Sequence, residues 1–531
     1  MKTKWRLLVS DALSQEGLQV LSGYPEISFE VKTGLSPAEL ASAVGPYDAL
    51  VVRSASKVTR EVIERAERLK VIGRAGVGVD NIDVEAATRR GIVVMNSPMG
   101  NSVTTAEHTI SLILAMARHI PAANAAVKSG RWERGKFTGV EVCNKVLGIV
   151  GLGNIGRIVA ARARGLSMKV IGFDPMLTGE AASRLGVELV SLEALYRAAD
   201  FITVHTPLTR ETQGMIGAEA LAAMKPGVRI VNCARGGIVD EAALAEALRS
   251  GKVAGAALDV FSHEPPPPDH PLLKFDNVIV TPHLGAATSE AQLRVAVDIV
   301  HQVVDFLRDG VARHSVNLPS LSPQELEAVA PHLELGEKLG RLAAQLIGAA
   351  PQEVTVALGG EAAALQAEPI TAAVLKGLLS SFLEQELNYV NAPFIARERG
   401  IAVVERRARE TPDYVNTLAV AVRTAEGLRE VVGAVVGNRM LRLVKVDSFR
   451  LETVPEGHFL MLYNRDVPGV VGAVGTLLGQ AKINIAGLAL GRDQVGGMAL
   501  SLLQVDDPVP DEVIERLRTI PAITGARRLT L

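Results

Sequence analysis

The chain has 531 residues, of which 48% are hydrophobic and 21% are charged. At about 150 residues per domain, this length predicts three or four domains, and the composition excludes a mainly disordered chain. Lysine plus arginine (56) nearly balances aspartate plus glutamate (58), which gives a formal net charge of -2. This balance argues against a broad basic surface of the kind that binds the phosphate backbone of nucleic acids.

The two cysteines, Cys143 and Cys233, are too few for a disulfide framework and have no metal-ligand spacing. A reducing compartment fits such sparse use of cysteine. No run of about 18 apolar residues without a charge is present, so no membrane-spanning segment is expected. The sequence therefore predicts a soluble, cytoplasmic protein that binds no metal, membrane or nucleic acid.

Short apolar runs alternate with helical patterns over the first 300 or so residues, which predicts parallel sheets with crossover helices. The predicted strands are residues 5–9, 49–52, 71–74, 92–95, 146–150, 168–173, 201–205, 229–232, 255–259 and 278–281. A gap between residues 96 and 146 divides them into two sheets. We expect one helix in that gap, over 102–119, capped by Ser102 and stopped before Pro121. A further helix is expected over 289–309, ending at Gly310.

Beyond Val316 the pattern changes. Residues 317–323 contain two prolines and predict a linker, and residues 324–452 mix helix and strand signals. From residue 457 onward the order is β-α-β-β-α, with a last strand over 526–531. This order predicts a ferredoxin-like domain.

A glycine turn follows the strand at 146–150. Gly151 allows the tight turn, Gly153 lets a pyrophosphate approach the backbone, and Gly156 lets the next helix pack closely. Asp174 ends the next strand, where a carboxylate binds the ribose hydroxyls and repels a 2′-phosphate, which favours NAD over NADP. The alternative is a plain glycine turn with a surface aspartate.

Three polar side chains follow later strands of the same sheet: Arg235, Glu264 and His283. Oxidation of a 2-hydroxy acid needs a base near its working pH, and a histidine held by a carboxylate meets that need. An arginine grips the substrate carboxylate in bidentate fashion. Taken singly, each of the three also fits an ordinary loop residue.

With the glycine turn, residues 74–83, 232–240, 263–265 and 282–286 make residues 3–316 resemble the D-isomer-specific 2-hydroxyacid dehydrogenases. The resemblance implies that Arg235 orients the substrate, Glu264 supports the histidine, and His283 donates and accepts the proton. It also implies an NAD site formed by Val77, Gly151, Gly153, Asn154, Ile155, Gly156, Asp174, Thr206, Cys233, Ala234, Asp259, Gly285 and Ala286. Relatives often carry Arg or Lys at position 154 and some carry a hydroxyl residue at 77, and this chain departs from both patterns. We interpret Cys233 as a packing residue and not a redox group, and His108 as a buried histidine and not a ligand.

Within that family the chain is similar to the members that oxidise D-3-phosphoglycerate, the first step of the phosphorylated route to L-serine. Arg53, Ser54 and Arg74 end strands at the expected cleft and would hold the substrate anion. In related dimers, residues after the long helix reach the neighbouring cleft, so Arg134 and Lys136 are further candidates. The alternative for all four basic residues is a solvated surface role.

The tail contains Asn464 and Asp466 at a Pro-Gly turn, and Asn484 at the start of a later strand. This segment resembles the ACT-type amino-acid-binding domain, which in serine-pathway relatives pairs across subunits and binds L-serine. The three residues would hold that effector; the alternative is a turn cluster with no ligand. Residues 317–452 resemble the intervening domain of long-form relatives.

The predicted fold is α/β, with a Rossmann-like NAD domain (100–284) inserted in a flavodoxin-like substrate domain (1–99 and 285–316). An α+β intervening domain (317–452) and an ACT-type domain (453–531) follow. We expect a homodimer or homotetramer. Two other functions stay open: reduction of hydroxypyruvate or glyoxylate (or oxidation of another D-2-hydroxy acid), and an NAD-sensing scaffold like the corepressors built on this fold.

Overall fold

The computed structural model describes residues 4–408, 414–437 and 439–531. The first sheet is parallel, with strand order β2-β1-β3-β4-β5. Its central strands are almost wholly apolar and buried, as expected of a parallel sheet covered on both faces. Its elements are β1 Trp5–Val9, α1 Gln15–Ser22, β2 Ile27–Val31, α2 Pro37–Ala43, β3 Ala49–Val52, α3 Arg60–Glu64, β4 Val71–Arg74, α4 Val84–Arg89 and β5 Val93–Asn96.

The second sheet has the order β12-β11-β10-β9-β6-β7-β8 and is also parallel. Its elements are α5 Ser102–Ala117, α6 Ile120–Lys128, β6 Val146–Val150, α7 Asn154–Gly165, β7 Lys169–Phe173, α8 Gly179–Arg184, β8 Glu188–Leu189, α9 Leu192–Ala198, β9 Phe201–Val204, α10 Ala218–Ala223, β10 Val228–Asn232, α11 Glu241–Arg249, β11 Val253–Leu258 and β12 Val278–Val280. Helix α12, Ser289–Asp309, then returns to the first sheet, where Val295, Ile299 and Val303 join the core that contains Leu7 and Val9.

The helix predicted over 102–119 is present, two residues shorter at its end, but a second helix follows it that was not predicted. The chain forms α5, then His119 takes a left-handed conformation (φ 51°), and α6 begins at Ile120. Pro121 stands in the first turn of α6, where the missing N–H of proline costs nothing, so it starts a second helix where we expected a stop. Asn101, and not Ser102, is the N-cap residue.

Within the described residues, no single helix has both the length and the apolar composition needed to cross a membrane. Helices α5 and α6 reach both only as a pair, and they are bent by 62° relative to each other.

The third sheet follows with the order β14-β13-β15-β16-β17-β18, antiparallel except where β14 runs parallel to β13. Two helices cover this sheet and pack very closely against each other. A Cβ atom on Gly340 of one helix, or on Gly377 of the other, would meet the backbone of the opposite helix. The elements are α13 Pro323–Leu346, β13 Glu353–Gly360, α14 Ala367–Leu379, α15 Asn391–Glu398, β14 Ala402–Ala408, β15 Asn416–Thr424, β16 Gly427–Val436, β17 Met440–Val446 and β18 Phe449–Thr453.

The last sheet is antiparallel, with the order β20-β21-β19-β22. Its elements are β19 His458–Arg465, α16 Val470–Gln480, β20 Ile485–Arg492, β21 Met498–Val505, α17 Asp511–Arg518 and β22 Ile523–Thr530. The predicted β-α-β-β-α-β order is therefore confirmed, as is the α/β class of the first two sheets.

Candidate active site

The turn between β6 and α7 requires its glycines for different reasons. Gly151 has a φ of 93°, a left-handed conformation that favours glycine. A Cβ atom on Gly156 would collide with the carbonyl oxygen of Gly151, so only glycine lets α7 begin this close to the strand. Nothing lies within 4 Å of the place a Cβ would take on Gly153, which leaves the turn open there.

Asp174 lies beside this turn, directly after β7. One carboxylate oxygen accepts the backbone N–H of Leu152 at 2.8 Å, and the other accepts that of Met176 at 2.9 Å. These bonds fix the carboxylate next to the N-terminus of α7. A negative group at this position meets the two hydroxyls of an adenosine ribose whose phosphates lie on the turn.

The residues present fit a dinucleotide. Thr206 lies two residues after the end of β9. Its hydroxyl oxygen is buried and has no hydrogen-bond partner among the described residues, so a polar group of a ligand would satisfy it. The remaining predicted NAD residues follow strand ends of the second sheet, apart from Val77, which follows β4 of the first. After the turn and Asp174 they are Asn154 and Ile155 in α7, Cys233 and Ala234 after β10, Asp259 after β11, and Gly285 and Ala286 after β12.

His283 and Glu264 are paired. The Nδ1 atom of His283 lies 2.8 Å from Oε2 of Glu264, whose Oε1 accepts the N–H of Phe261 at 3.1 Å. Because an ionised carboxylate only accepts, Nδ1 carries the hydrogen and Nε2 is left free to accept a proton. The hydrogen bond that His283 donates to Glu264 raises the pKa of His283. Burial would raise the pKa of Glu264, but the hydrogen bond and charge of His283 together with the N–H of Phe261 outweigh burial and lower that pKa.

Asp259 holds the loop that carries His283. Its carboxylate is buried and accepts the N–H groups of Leu284 at 2.7 Å and Gly285 at 2.8 Å. It also accepts the hydroxyl of Thr281 at 2.5 Å and lies 3.2 Å from Nε2 of His108. The sequence predicted that Asp259 contacts NAD; in the structure its oxygens are bound by the protein, and His108 is a satisfied histidine, as expected.

Arg235 lies at the junction of the two parallel sheets. Its Nε donates to Oδ2 of Asp80 at 2.9 Å, and its Nη1 donates to the carbonyl oxygen of Ala234 at 2.7 Å. The side chain of Asn232 bonds both Ala234 N and Arg235 O, which fixes the loop after β10. Asp80 had no predicted role, although it lies in residues 74–83, one of the segments that resemble the family.

Arg74 and Arg53 lie near Arg235. Nε of Arg74 is buried without a partner among the described residues. Burial, together with the charges of Arg235 and Arg53, lowers the pKa of Arg74 to about 10. Arg53 donates from Nη1 to the carbonyl oxygen of Ala12 at 3.0 Å, and Ser54 is exposed beside it. Three guanidinium groups are therefore gathered at the ends of β3, β4 and β10. A cluster of positive charges of this kind needs an anion.

Arg134 and Lys136, the other basic candidates, lie on an exposed 3₁₀ turn, Arg134–Phe137. Cys233 is 6% exposed, and burial raises the pKa of its thiol to about 12. A thiol that stays protonated is a poor nucleophile, which supports the packing role. Val77 is held through its carbonyl oxygen, which accepts from Nδ2 of Asn96 at 2.5 Å.

The three candidate effector residues do not meet within one chain. Asn464 is 3% exposed and bonds Arg465 O and the hydroxyl of Ser501, and Asp466 pairs with Arg492 at 3.1 Å. Asn484 instead bonds Asp506 at 2.8 Å. Strand β21 separates the two places: its residue 499 pairs with Asn464 and its residue 505 pairs with Ile485. Six residues of strand correspond to about 20 Å.

No group of three or more His, Cys, Asp or Glu side chains that could hold a metal ion occurs in the part of the chain that the structure describes.

Comparison with known proteins agrees with the fold and with a dinucleotide-binding domain. The model for "D-isomer specific 2-hydroxyacid dehydrogenase, NAD binding domain" matches residues 110–285. The models for "D-3-phosphoglycerate dehydrogenase intervening domain" and "ACT domain" match residues 328–447 and 458–522. The TT0316 protein from Thermus thermophilus, a solved structure, is 37% identical with a TM-score of 0.55, over 59% of this chain and 99% of that one. Fold and site together define an NAD-binding oxidoreductase of the 2-hydroxyacid dehydrogenase class.

Two curated relatives extend the match to the full length. The D-3-phosphoglycerate dehydrogenase of Synechocystis sp. is 46% identical over 530 residues, which is 100% of this chain and 95% of the relative. That of Archaeoglobus fulgidus is 46% identical over 528 residues, 99% of this chain and 100% of the relative. The chain belongs to the D-3-phosphoglycerate dehydrogenase family.

The Glu264–His283 pair generates a pH prediction. Oxidation needs neutral His283, so activity falls as pH drops through its raised pKa. Glu264→Gln removes the charge that raises this pKa, and we expect the acid limb of kcat/KM to move to lower pH. The maximal rate should fall by about 10²-fold, because the imidazolium is no longer stabilised. Glu61→Gln, an exposed acid paired with Arg65, is the control and should leave the profile unchanged. An acid limb that moves to higher pH in Glu264→Gln would contradict this assignment.

Proposed function

We propose that the protein oxidises D-3-phosphoglycerate to 3-phosphohydroxypyruvate with NAD, the first step of the phosphorylated route to L-serine. The observation that carries the proposal is a paired histidine and carboxylate next to three guanidinium groups at one cleft. A 2-hydroxy acid with a phosphate brings two anionic groups to that cleft. The names of the full-length relatives support the same substrate.

In the proposed mechanism, the free nitrogen of His283 is the proton acceptor. Nε2 takes the proton of the substrate 2-hydroxyl, and Glu264, bound to Nδ1, stabilises the imidazolium that forms. NAD held at the turn Gly151–Gly156 and Asp174 would supply the acceptor for the hydride that leaves the same carbon. In the reverse direction His283 returns the proton to the carbonyl oxygen, so one imidazole serves both directions.

Different arginines bind the two anionic groups of the substrate. Arg235 binds the carboxylate next to the reacting carbon through its Nη atoms, since Nε is taken by Asp80. Arg74 and Arg53, on the first domain, bind the phosphate. Arg74 is the stronger candidate in electrostatic terms, because a buried guanidinium with an unpartnered Nε gains most from an anion.

Steady-state formation of NADH tests the proposal directly. We expect D-3-phosphoglycerate to be oxidised with kcat/KM at least about 10²-fold above D-glycerate and D-lactate, since only it meets all three arginines. His283→Ala should lower kcat by about 10²-fold or more and leave NADH binding, measured by fluorescence, unchanged. Faster turnover of glyoxylate or hydroxypyruvate with NADH would favour a reductase. NADH binding with no turnover of any of these acids would favour a scaffold.

The variant Arg53→Ala distinguishes binding of the substrate phosphate from binding of its carboxylate. Loss of one charge-assisted hydrogen bond, about 1.5–3 kcal/mol, should raise KM for D-3-phosphoglycerate by about 10- to 100-fold. The kcat/KM for D-glycerate should change by less than about twofold, because that substrate has no phosphate for Arg53 to bind. Lys57→Ala removes an exposed cation four residues away and is the control. Equal effects on both substrates would show that Arg53 does not bind the phosphate.

L-serine regulation is the finer part of the proposal. Because Asn464 and Asp466 lie about 20 Å along the sheet from Asn484, a site containing all three needs two chains paired through their last domains. A homodimer or homotetramer is therefore part of the proposal. The cytoplasmic location stays a prediction from the sequence.

Serine titration of the activity tests this site. We expect millimolar L-serine to inhibit the enzyme, and Asn484→Ala to raise the half-inhibiting concentration by about fivefold through loss of one hydrogen bond. Asn484 is exposed and bonds only Asp506 among the described residues, so the fold should tolerate the change. Asp507→Asn, next to Asp506 on the exposed turn after β21, is the control. A wild-type enzyme that millimolar serine leaves fully active would contradict an effector site here.

A further inference from the structure

We infer that Asp80 is a positioning residue, which holds the guanidinium of Arg235 across the cleft between the two domains and so presents its Nη atoms to the substrate carboxylate. The inference rests on the proposed role of Arg235, and it adds a part of the site that acts without touching the substrate.

The two partners come from different sheets. Asp80 follows β4 of the first sheet, and Arg235 follows β10 of the second. The bond from Nε to Oδ2 is 2.9 Å, and Nη1 is held by Ala234 O at 2.7 Å. These two contacts fix the plane of the guanidinium. Nη2 has no hydrogen-bond partner among the described residues, so its hydrogens are available to a ligand.

The loop before Asp80 is shaped to admit this pair. A Cβ atom on Gly78 would meet Nη2 of Arg235 and would lie 2.9 Å from Oδ2 of Asp80. A Cβ atom on Gly76 would likewise meet the guanidinium of Arg74. Both glycines therefore leave room for an arginine, and a larger residue at either place would displace one.

The same loop is tied to the sheet beneath it. Asn96 donates to Val77 O at 2.5 Å, and the backbone N–H of Ser97 donates to Gly76 O at 2.9 Å. Ser97 in turn bonds Asp298 of α12 at 2.5 Å. Asp80 is therefore carried on a backbone fixed at β5 and α12, as a residue that sets the direction of another must be.

The charge of the pair has a second consequence. Arg53, Arg74 and Arg235 repel one another, and Asp80 offsets that repulsion at Arg74. Without Asp80, Arg235 would turn away from Arg74 toward solvent. A purely electrostatic acid at the cleft would instead repel the substrate, and its removal would lower KM. The two roles predict opposite changes, and this difference decides between them.

The test compares Asp80→Asn and Asp80→Ala with wild type in the full-length enzyme. The amide still accepts from Nε, so we expect kcat/KM for D-3-phosphoglycerate to fall about 10-fold in Asp80→Asn and about 100-fold in Asp80→Ala. Both a higher KM and a lower kcat should contribute, because Arg235 binds the carboxylate and polarises the developing carbonyl. NADH affinity and the melting temperature should stay unchanged. Glu61→Gln is the matched control, an exposed acid paired with an arginine on the same domain.

A double-mutant cycle then shows whether Asp80 acts through Arg235. In an Arg235→Lys background, Asp80→Asn should cost less than about threefold, since Nε is already gone. Equal losses in both backgrounds, a lower KM in Asp80→Ala, or loss of NADH affinity and melting temperature would each overturn the inference. The wild-type rate with D-3-phosphoglycerate tests the proposed function separately. If another 2-hydroxy acid is the substrate, the Asp80 comparison is made with that acid, because it too has a carboxylate for Arg235.

Discussion

Two loops at the carboxyl ends of the parallel strands are each held by one buried acid that binds backbone N–H groups. Asp11, after β1, accepts the N–H of Arg53 at 2.5 Å and that of Ser56 at 3.1 Å, and it is 5% exposed. Asp259, after β11, does the same for the loop that carries His283. A buried carboxylate is stable only when its oxygens are bonded, so each acid and its loop stabilise each other. One acid therefore fixes the loop that carries Arg53, and the other fixes the loop that carries His283.

The charges across this cleft are balanced by pairs that belong to different loops. Glu264 raises the pKa of His283, and the nearby Arg235 opposes that rise. Arg235 in turn is paired with Asp80. The pKa of the imidazole therefore depends on a carboxylate of its own domain and on an arginine that is paired with an acid of the other domain. In the proposed mechanism, a substrate carboxylate bound at Arg235 would add a negative charge at the same place and so favour the imidazolium of His283.

The sequence predicted the parts of this site that are local. The turn at Gly151–Gly156, Asp174 and ten of the twelve strands described in the first two sheets were recognised within short segments, whereas β2 and β8 were not predicted. The helix that ends at Gly310 was predicted to the residue. The break between α5 and α6 was missed because Pro121 is compatible with both a stop and a first turn. Asp80 was missed for a different reason: its partner is 155 residues away and in another domain, and no spacing within a motif encodes that distance. The separation of Asn464 from Asn484 likewise depends on strand register, which the pattern of residues alone does not fix.

The intervening domain contacts the catalytic part at the substrate domain. Asn388 donates to Gly91 O at 2.8 Å, Val390 packs in the core of the first sheet, and Asn317 bonds the N–H of Val94 and the carbonyl of Ile92. The three bonded backbone groups lie on or beside the turn from α4 to β5. Strand β5 ends at Asn96, which holds Val77 in the loop that carries Asp80. The intervening domain is therefore bonded to the strand that fixes the loop of Asp80, and we expect any effector that acts through this domain to alter KM for the substrate more than the affinity for NAD.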